Sequence, residues 1–433
     1  HICKSMLAYQ KWGENSTPDS MKMKSDHFVG HWYVKYNREL LNNLELENEA
    51  KEMLQKWEKG DKETLTLWKK MNDWVYAGWE TTLSEMGFEF DEINYESETY
   101  KFGKDIIEKG LEKNILKKNE NGSVIFNLSE KEFGLDKDGN KKKVTLIRPD
   151  GTSVYITQDL GTAVLRAENY NLTRLIYIVG SEQIYHFQCL FKILESLGYE
   201  WAKNLHHLSY GMITLPEGKM KSREGTVVDT DDLIEELKKI ASEEVRKRIT
   251  DNLNEEEIKE RSEKIALSAI KFYFLRVGAG QDIEFNPAES VSFDGFTGPY
   301  CQYAYARIAS ILRKTKKLSK KNDITLNDGR QQVLYNKINF GVLGNNIEER
   351  ELIKKIIGFP DAIKKSALEY NPSIIAINIF ETAQLFNKFY QKHKVLNAET
   401  EELKNARLSL IQAIQTLLKV GLTLLGIETL EKM

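Results

Sequence analysis

Asp159 is the residue whose surroundings most favour ligand chemistry. It follows the β-branched stretch SVYIT (153–157), which we predict as a strand, and it opens the predicted helix DLGTAVLRAENYN. A carboxylate at a helix N-terminus is stabilised by the helix dipole, and a simple N-cap is one interpretation. The other is a carboxylate that faces a cationic ligand, with Tyr155 as a neutral polar contact. A planar guanidinium suits such a site because it offers several donors in a fixed fork.

A second pair of polar residues follows the next predicted strand. The strand RLIYIVG is followed by the predicted helix SEQIYHFQCLFKILESLG. Gln183 and His186 lie near the start of this helix. Ligands of open α/β sheets lie at the carboxyl ends of the strands, so we expect Gln183 near Asp159. His186 lies in the aromatic stretch YHF, and by itself it indicates only a packed histidine.

A basic loop follows the third predicted strand, LHHLSYGMI. The loop PEGKMKSREGTVV alternates Lys219, Lys221 and Arg223 with other residues, between Gly218 and Gly225. A charged loop is often only solvated. At the same sheet edge, however, these cations could hold a polyphosphate, because lysines supply point charges and glycines let the loop move.

An aromatic and basic helical face lies further along the chain. In GPYCQYAYARIASILRK, Tyr300, Tyr303 and Arg307 stand at i, i+3 and i+7, on one face of a helix, whereas Tyr305 faces elsewhere. A core stripe of aromatic residues is one interpretation. Stacking on single-stranded RNA, with the arginine near phosphate, is the other.

The elements that position these residues fall into three ranges. Residues 1–115 show helical spacing, residues 116–240 alternate strands and helices, and residues 241–433 are helical again. The β-α-β-α-β order predicts a parallel, doubly wound sheet, so the fold class is α/β plus all-α. The turn dipeptides Asp138-Gly139 and Asp150-Gly151 predict hairpins before the sheet.

Composition limits the classes of function. The 433 residues are 41% hydrophobic and 29% charged, and the net charge is −3, so any nucleic acid would have to be bound by local basic patches. Cys3, Cys189 and Cys301 match no metal-ligand spacing, and their odd number favours a reducing, cytoplasmic location. The sequence has no apolar run of about 20 residues that would predict a membrane helix.

Four stretches carry a family resemblance. VYITQDLGTAVLRAENY, IVGSEQIYHF, YGMI with GKMKSREGTVV, and FTGPYCQYAYARI stand in the order and spacing of class I arginyl-tRNA synthetases. The chain resembles that family from His1 to Met433. The resemblance implies a partial Rossmann-type parallel sheet with a helical insertion, followed by a C-terminal helical anticodon-binding bundle.

The resemblance also implies residue roles. The predicted arginine-binding residues are Tyr155, Asp159 and Gln183. The predicted ATP-binding residues are His186 and Met212 together with Lys219, Met220, Lys221 and Ser222 of the loop that resembles the KMSKS motif. The predicted anticodon-binding residues are Tyr300, Tyr303, Arg307 and Tyr390. The loop reads KMKSR, so Ser222 occupies the second lysine position of the family motif.

The implied reaction is ATP-dependent ligation of L-arginine to its tRNA through arginyl-adenylate. The implied partners are ATP with Mg²⁺, L-arginine and arginine tRNA, and we expect a monomer without a protein-bound metal. The family's HIGH motif belongs upstream of His1, so we expect a fragment that is inactive alone. HFVGH (27–31) resembles HIGH but carries an extra residue and follows no strand, and VGAGQD (277–282) is interpreted as a helix end.

Two alternatives remain open from the sequence. The first is a class I synthetase for another amino acid. A buried Asp159 would be unfavourable beside an apolar amino acid. Selection of cysteine as the substrate would need a zinc site, which the three cysteines of the chain do not supply. A non-catalytic tRNA-binding protein with a synthetase fold is the other.

Overall fold

Helices form from the start of the chain, as the spacing of its apolar side chains predicts. The computed structural model describes residues 1–99, 102–170, 172–214, 229–248, 253–320 and 338–433, except for the side chains of 104 and 316–320. The first helices are α1 (Ile2–Trp12), α2 (Pro18–Met21), α3 (Ser25–Leu40), α4 (Glu45–Glu58) and α5 (Lys62–Glu85). The Asp61 carboxylate caps α5 by accepting from the Thr64 backbone N–H at 3.0 Å.

Short antiparallel strands follow, as the hairpin dipeptides predict. The elements here are α6 (Glu96–Thr99), α7 (Phe102–Glu112), β1 (Lys117–Lys118), β2 (Val124–Asn127), α8 (Glu130–Phe133) and β3 (Lys143–Ile147). Strand β2 pairs antiparallel with β1 and β3. Gly139 and Gly151 adopt φ of +78° and +81° in the two predicted turns, where glycine has no steric cost.

The predicted strand at 153–157 is wrong. Helix α9 (Tyr155–Asn169) begins inside it, with Val154 as the N-cap, so Asp159 lies in the second helical turn and does not open the helix. The buried residues Ile156 and Leu160 already follow helical spacing. A close helix crossing supports this, since a Cβ on Gly161 would lie 2.6 Å from the backbone nitrogen of Gly103 on α7.

The parallel part of the sheet is confirmed. Strand β4 (Leu175–Gly180) runs parallel to β5 (Leu205–Tyr210), in register from Leu175 opposite Leu205 to Gly180 opposite Tyr210. Between them lie a 3-10 helix (Ser181–Gln183), α10 (Ile184–Ser196) and a second 3-10 helix (Glu200–Asn204). This order brings the start of α10 directly after the carboxyl end of β4.

The rest of the described chain is largely helical. It contains β6 (Ile213–Thr214), α11 (Thr230–Arg248), α12 (Glu255–Leu275), β7 (Ile283–Glu284), α13 (Pro287–Ser290), α14 (Gly298–Lys320), a 3-10 helix (Phe340–Val342), α15 (Ile347–Glu369), α16 (Ser373–Lys392) and α17 (Glu401–Leu424). Apolar residues at helical spacing form the buried face of α17, where Ile411, Ile414, Leu418 and Leu422 are fully buried. The glycine-rich stretch VGAGQD follows the end of α12, as predicted.

Packing divides the chain into two units that are discontinuous in sequence. One comprises His1–Glu89, Thr214–Arg276 and Glu284–Met433, and the other comprises Phe90–Ile213 and Val277–Ile283. We call them the helical unit and the sheet unit. The division into 1–115, 116–240 and 241–433 stays a prediction about domains. All three cysteines are free. None of the described helices has both the length and the apolar content needed to cross a membrane.

Candidate functional site

A hydrogen bond joins Asp159 to His186 in the sheet unit. His186 donates from Nε2 to Asp159 Oδ2 at 2.7 Å, since a carboxylate oxygen can only accept. The two side chains are 28% and 20% exposed, so both are shielded but reachable. Asp159 comes from the second turn of α9 and His186 from the first turn of α10. The carboxylate therefore lies beside the carboxyl end of β4, where open sheets bind ligands.

Tyr155 adds a neutral hydroxyl to this pair. It precedes Asp159 by one helical turn, is 63% exposed, and its ring centroid lies 5.6 Å from that of His186. The negative charge of Asp159 raises the pKa of Tyr155, with further contributions from burial and from Glu96. The phenol therefore keeps its proton at neutral pH and can donate to a ligand or accept from one.

The other residues predicted at this edge are placed less closely. Gln183 ends the 3-10 helix after β4 and is exposed, and within the described ranges no hydrogen bond joins it to Asp159. The Met212 side chain is 47% exposed, and its backbone N–H donates to Asp282 Oδ1 at 2.7 Å. Residues Lys219, Met220, Lys221 and Ser222 fall in 215–228, outside the described residues.

Asp282 was missed by sequence reasoning. It belongs to the glycine-rich stretch after α12, which returns to the end of β5, where the Gly211 N–H donates to the Ala279 carbonyl at 2.8 Å. A Cβ at Gly211 would lie 2.6 Å from the Asp282 backbone nitrogen, so the approach requires glycine. The signal in the sequence was the combination GAGQD, two glycines followed by a carboxylate.

A hydrogen-bonded chain of side chains lies on α14 and α16 in the helical unit. Arg307 donates from Nη2 to the Tyr303 hydroxyl at 2.9 Å and from Nη1 to Asn387 Oδ1 at 2.8 Å. Asn387 Nδ2 donates to the Tyr300 hydroxyl at 2.9 Å. The structure thus brings together the three predicted residues of α14 and adds Asn387, whose sequence context FNKFY gave no signal of it. Tyr305 faces elsewhere, as predicted, and is 4% exposed.

Comparison with known proteins decides the family. The family model "tRNA synthetases class I (R), catalytic domain" matches residues 6–286, and "DALR anticodon binding domain" matches residues 301–433. The protein named arginine–tRNA ligase from Treponema denticola is 45% identical over 438 residues, which cover 100% of this chain and 70% of that relative. The chain belongs to the arginyl-tRNA synthetase family.

Further comparisons agree with this membership. The protein named arginine–tRNA ligase from Parabacteroides distasonis is 43% identical over 453 residues, with 100% of this chain and 72% of that relative covered. The structure of the Thermus thermophilus arginyl-tRNA synthetase matches with a TM-score of 0.81 at 23% identity, covering 100% of this chain and 74% of that one. At that identity it shows a shared fold. The predicted family and class I fold are thereby confirmed.

The HIGH-like stretch HFVGH has a helical setting in this synthetase. It lies inside α3, and His27 Nε2 is 2.8 Å from Asp229 Oδ2 and 3.0 Å from Asp231 Oδ2. Lys24 Nζ lies 2.6 Å from Asp231 Oδ2, and Thr82 donates to its Oδ1 at 2.8 Å. These contacts tie α3 and α5 to the start of α11. They give the stretch a structural role in joining these helices.

Lys24 places a positive charge among the carboxylates of this cluster. Burial alone would raise the pKa of Asp231, but hydrogen bonds from Lys24 and Thr82 outweigh it and hold the pKa below its usual range. Ligand atoms of Asp26, His27 and Asp231 lie within 4.8 Å of one another, a spacing that could hold a cation. The Lys24 ammonium already supplies one positive charge there, 2.6 Å from Asp231 Oδ2.

Proposed function

We propose that this chain takes part in the ATP-dependent ligation of L-arginine to its tRNA through arginyl-adenylate. Membership of the arginyl-tRNA synthetase family supports the reaction, since the two relatives described above are named for it. The observation that carries the choice of amino acid is the carboxylate of Asp159, held by His186 beside the carboxyl end of β4.

Asp159 is proposed to bind the guanidinium of arginine. His186 uses Oδ2, and among the described residues Oδ1 has no hydrogen bond, so this oxygen is available to a guanidinium N–H. Tyr155, and Gln183 after β4, are proposed as neutral contacts to the substrate. An apolar amino acid would leave Oδ1 of the partly buried carboxylate without a donor, and that cost favours a cationic substrate.

The basic loop is proposed to hold ATP. Lys219, Met220, Lys221 and Ser222 are proposed to bind its phosphates, and His186 and Met212 are proposed to contact ATP as well. Mg²⁺ would accompany ATP as part of the substrate.

The proposed reaction has two steps. The arginine carboxylate attacks the α-phosphorus of ATP, the bond from that phosphorus to the β-phosphate oxygen breaks, and pyrophosphate leaves. A terminal tRNA hydroxyl then attacks the adenylate carbonyl, and AMP leaves. The cations would neutralise the charge that builds on the leaving pyrophosphate.

The helical unit is proposed to bind the tRNA anticodon. The match to an anticodon-binding domain over 301–433 supports this, as does the half-exposed surface of Tyr300, Tyr303 and Arg307. Tyr390, which is 40% exposed, lies on the same surface, since the Arg307 guanidinium is 5.9 Å from its ring centroid. Aromatic faces and an arginine are suited to unstacked bases and phosphates.

Binding of L-arginine and L-citrulline tests the proposal. Citrulline has nearly the shape of arginine but carries a neutral urea, so the difference in affinity measures the contribution of the guanidinium charge. By calorimetry we expect arginine to bind at least about 10-fold more tightly, since hydrogen bonds to charged groups contribute about 1.5–3 kcal/mol.

The variant Asp159→Asn tests whether the Asp159 carboxylate causes the preference for arginine over citrulline. It should abolish the difference between arginine and citrulline, whereas the matched control Asp138→Asn, at an exposed hairpin turn, should keep it. Equal binding of both ligands by the unaltered chain, or an undiminished preference in Asp159→Asn, would contradict the proposed pocket.

A further inference from the structure

The side-chain amide of Asn387 connects two helices at the proposed RNA surface. From α16 it donates to Tyr300 and accepts from Arg307, both on α14, at 2.9 and 2.8 Å. Arg307 in turn donates to Tyr303 at 2.9 Å. The result is an unbroken series of hydrogen bonds, Tyr300–Asn387–Arg307–Tyr303, in which Asn387 is the one member outside α14.

Aromatic rings hold the guanidinium from its other sides. The Arg307 guanidinium carbon is 4.7 Å from the Tyr303 ring centroid and 5.9 Å from that of Tyr390. Tyr390 stacks on the buried Phe386, with centroids 5.9 Å apart and planes at 22°. Tyr300, Tyr303, Arg307 and Asn387 are all half-buried, so the hydrogen bonds are shielded while part of each side chain remains accessible.

The chemistry of an amide explains why asparagine fits this position. A guanidinium can only donate, so the oxygen of the amide must face Arg307 and the nitrogen must face Tyr300. The amide is neutral, so it orients Arg307 without cancelling its positive charge. A carboxylate here could accept from both neighbours, but it would neutralise the guanidinium. A guanidinium has five N–H groups, and the two bonds described use two of them.

We infer that Asn387 is a positioning residue for recognition of unpaired anticodon nucleotides. It fixes the two tyrosine hydroxyls and the arginine fork before RNA binds, so that less side-chain freedom is lost on binding. It leaves the arginine charge free for a phosphate or for a base edge. This inference rests on the proposed anticodon-binding function and adds to it the residue that sets the geometry of the surface.

The test measures anticodon discrimination by the full chain. The probes are an arginine tRNA transcript and the same transcript with its three anticodon nucleotides replaced, in filter binding at two salt concentrations. The variant Asn387→Ala should reduce the affinity ratio between the two transcripts about 10-fold, a loss expected when one partner of a hydrogen bond to a charged group is removed. Its affinity for the altered transcript should stay unchanged.

A charge-changing variant separates orientation from electrostatics. Asn387→Asp keeps two acceptors, and the Tyr300 hydroxyl can turn to donate. The surface should therefore remain ordered, but both transcripts should bind more weakly and with a shallower dependence on salt, because one positive charge is neutralised. In an Arg307→Gln background, Asn387→Ala should cause a smaller further loss of discrimination, because the bond to Arg307 is already altered and only the bond to Tyr300 remains to be lost.

The matched control is Asn405→Ala, which removes an exposed asparagine from α17. It should leave the affinity ratio between the two transcripts unchanged. If Asn387→Ala keeps the full ratio, or lowers both affinities equally together with the melting temperature, Asn387 has no positioning role. If the unaltered chain binds both transcripts equally, the proposed anticodon function fails, and this role fails with it.

Discussion

At the scale of single residues, the pair Asp159 and His186 is the centre of the proposed amino-acid site. The two are 27 positions apart in sequence, and their side chains meet at 2.7 Å. The sequence predicted both residues at the sheet edge, but it assigned His186 to ATP and predicted no bond between them. Hydrogen-bond direction and distance depend on helix rotation, which residue patterns do not specify.

We expect His186 to act through Asp159. In His186→Leu the carboxylate loses its donor, and arginine affinity should fall about 10-fold, the loss typical of a hydrogen bond to a charged group. His186→Gln, whose amide can still donate, should restore most of that affinity. Calorimetry with arginine and citrulline measures this. Equal arginine affinity in His186→Leu and the unaltered chain would contradict the positioning role.

At the scale of elements, the crossing of α7 and α9 determines where Asp159 lies. The sequence SVYIT favoured a strand because β-branched and aromatic residues are common in strands, but burial of Ile156 and Leu160 on one helical face outweighs that local preference. The glycines that allow the crossing, Gly103 and Gly161, are 58 positions apart. Only tertiary packing connects them, so a local pattern could not have predicted the helix start.

Gly161→Ala tests this crossing. Its Cβ would lie 2.6 Å from the Gly103 nitrogen, and overpacking of this kind costs about 1–3 kcal/mol of unfolding free energy. Urea unfolding of the sheet unit should therefore shift to lower concentration. The control Gly358→Ala, on α15 with nothing within 4 Å of the added Cβ, should be neutral or stabilising. A Gly161→Ala variant as stable as the unaltered chain would show that α7 and α9 do not pack this closely.

A buried ion pair connects α15 and α17 in the helical unit. Arg407 Nε donates to Glu349 Oε1 at 2.8 Å, with side-chain exposures of 7% and 1%, and Glu349 Oε2 accepts from the Gly344 N–H at 3.0 Å. Arg407→Met leaves the carboxylate without its partner and should destabilise this unit by about 3–5 kcal/mol.

The double variant Arg407→Met with Glu349→Gln provides the control for that prediction. Glutamine keeps an acceptor for Gly344 but carries no charge, so the double variant should be more stable than Arg407→Met alone. The melting temperatures of the two variants, measured by thermal unfolding, test this order of stability. If the double variant is the less stable of the two, the buried charge is not the main source of the loss.

At the scale of the whole molecule, the sequence predicted the family, the parallel pair of strands and the helical ends of the chain. Its three consecutive ranges remain a prediction about domains. In the structure, residues 277–283 pack with Phe90–Ile213 in the sheet unit. Local periodicity detects elements, but not which distant segments pack together. The contact of Asp282 with Met212 is the clearest example.

Both units serve one activity in the proposed account, amino-acid selection in one and tRNA binding in the other. The identity of the tRNA that binds can be measured without assigning a role to any single residue. The overall charge of −3 gives no general attraction for nucleic acid, so selective binding would have to come from the local surface on α14 and α16.

The most direct measurement incubates the chain with total cellular tRNA, recovers the bound fraction and sequences it. The account predicts strong enrichment of arginine tRNAs over their share of the input, and a loss of that enrichment in Arg307→Gln. Recovery of tRNAs in proportion to the input, or enrichment of tRNAs for another amino acid, would contradict it.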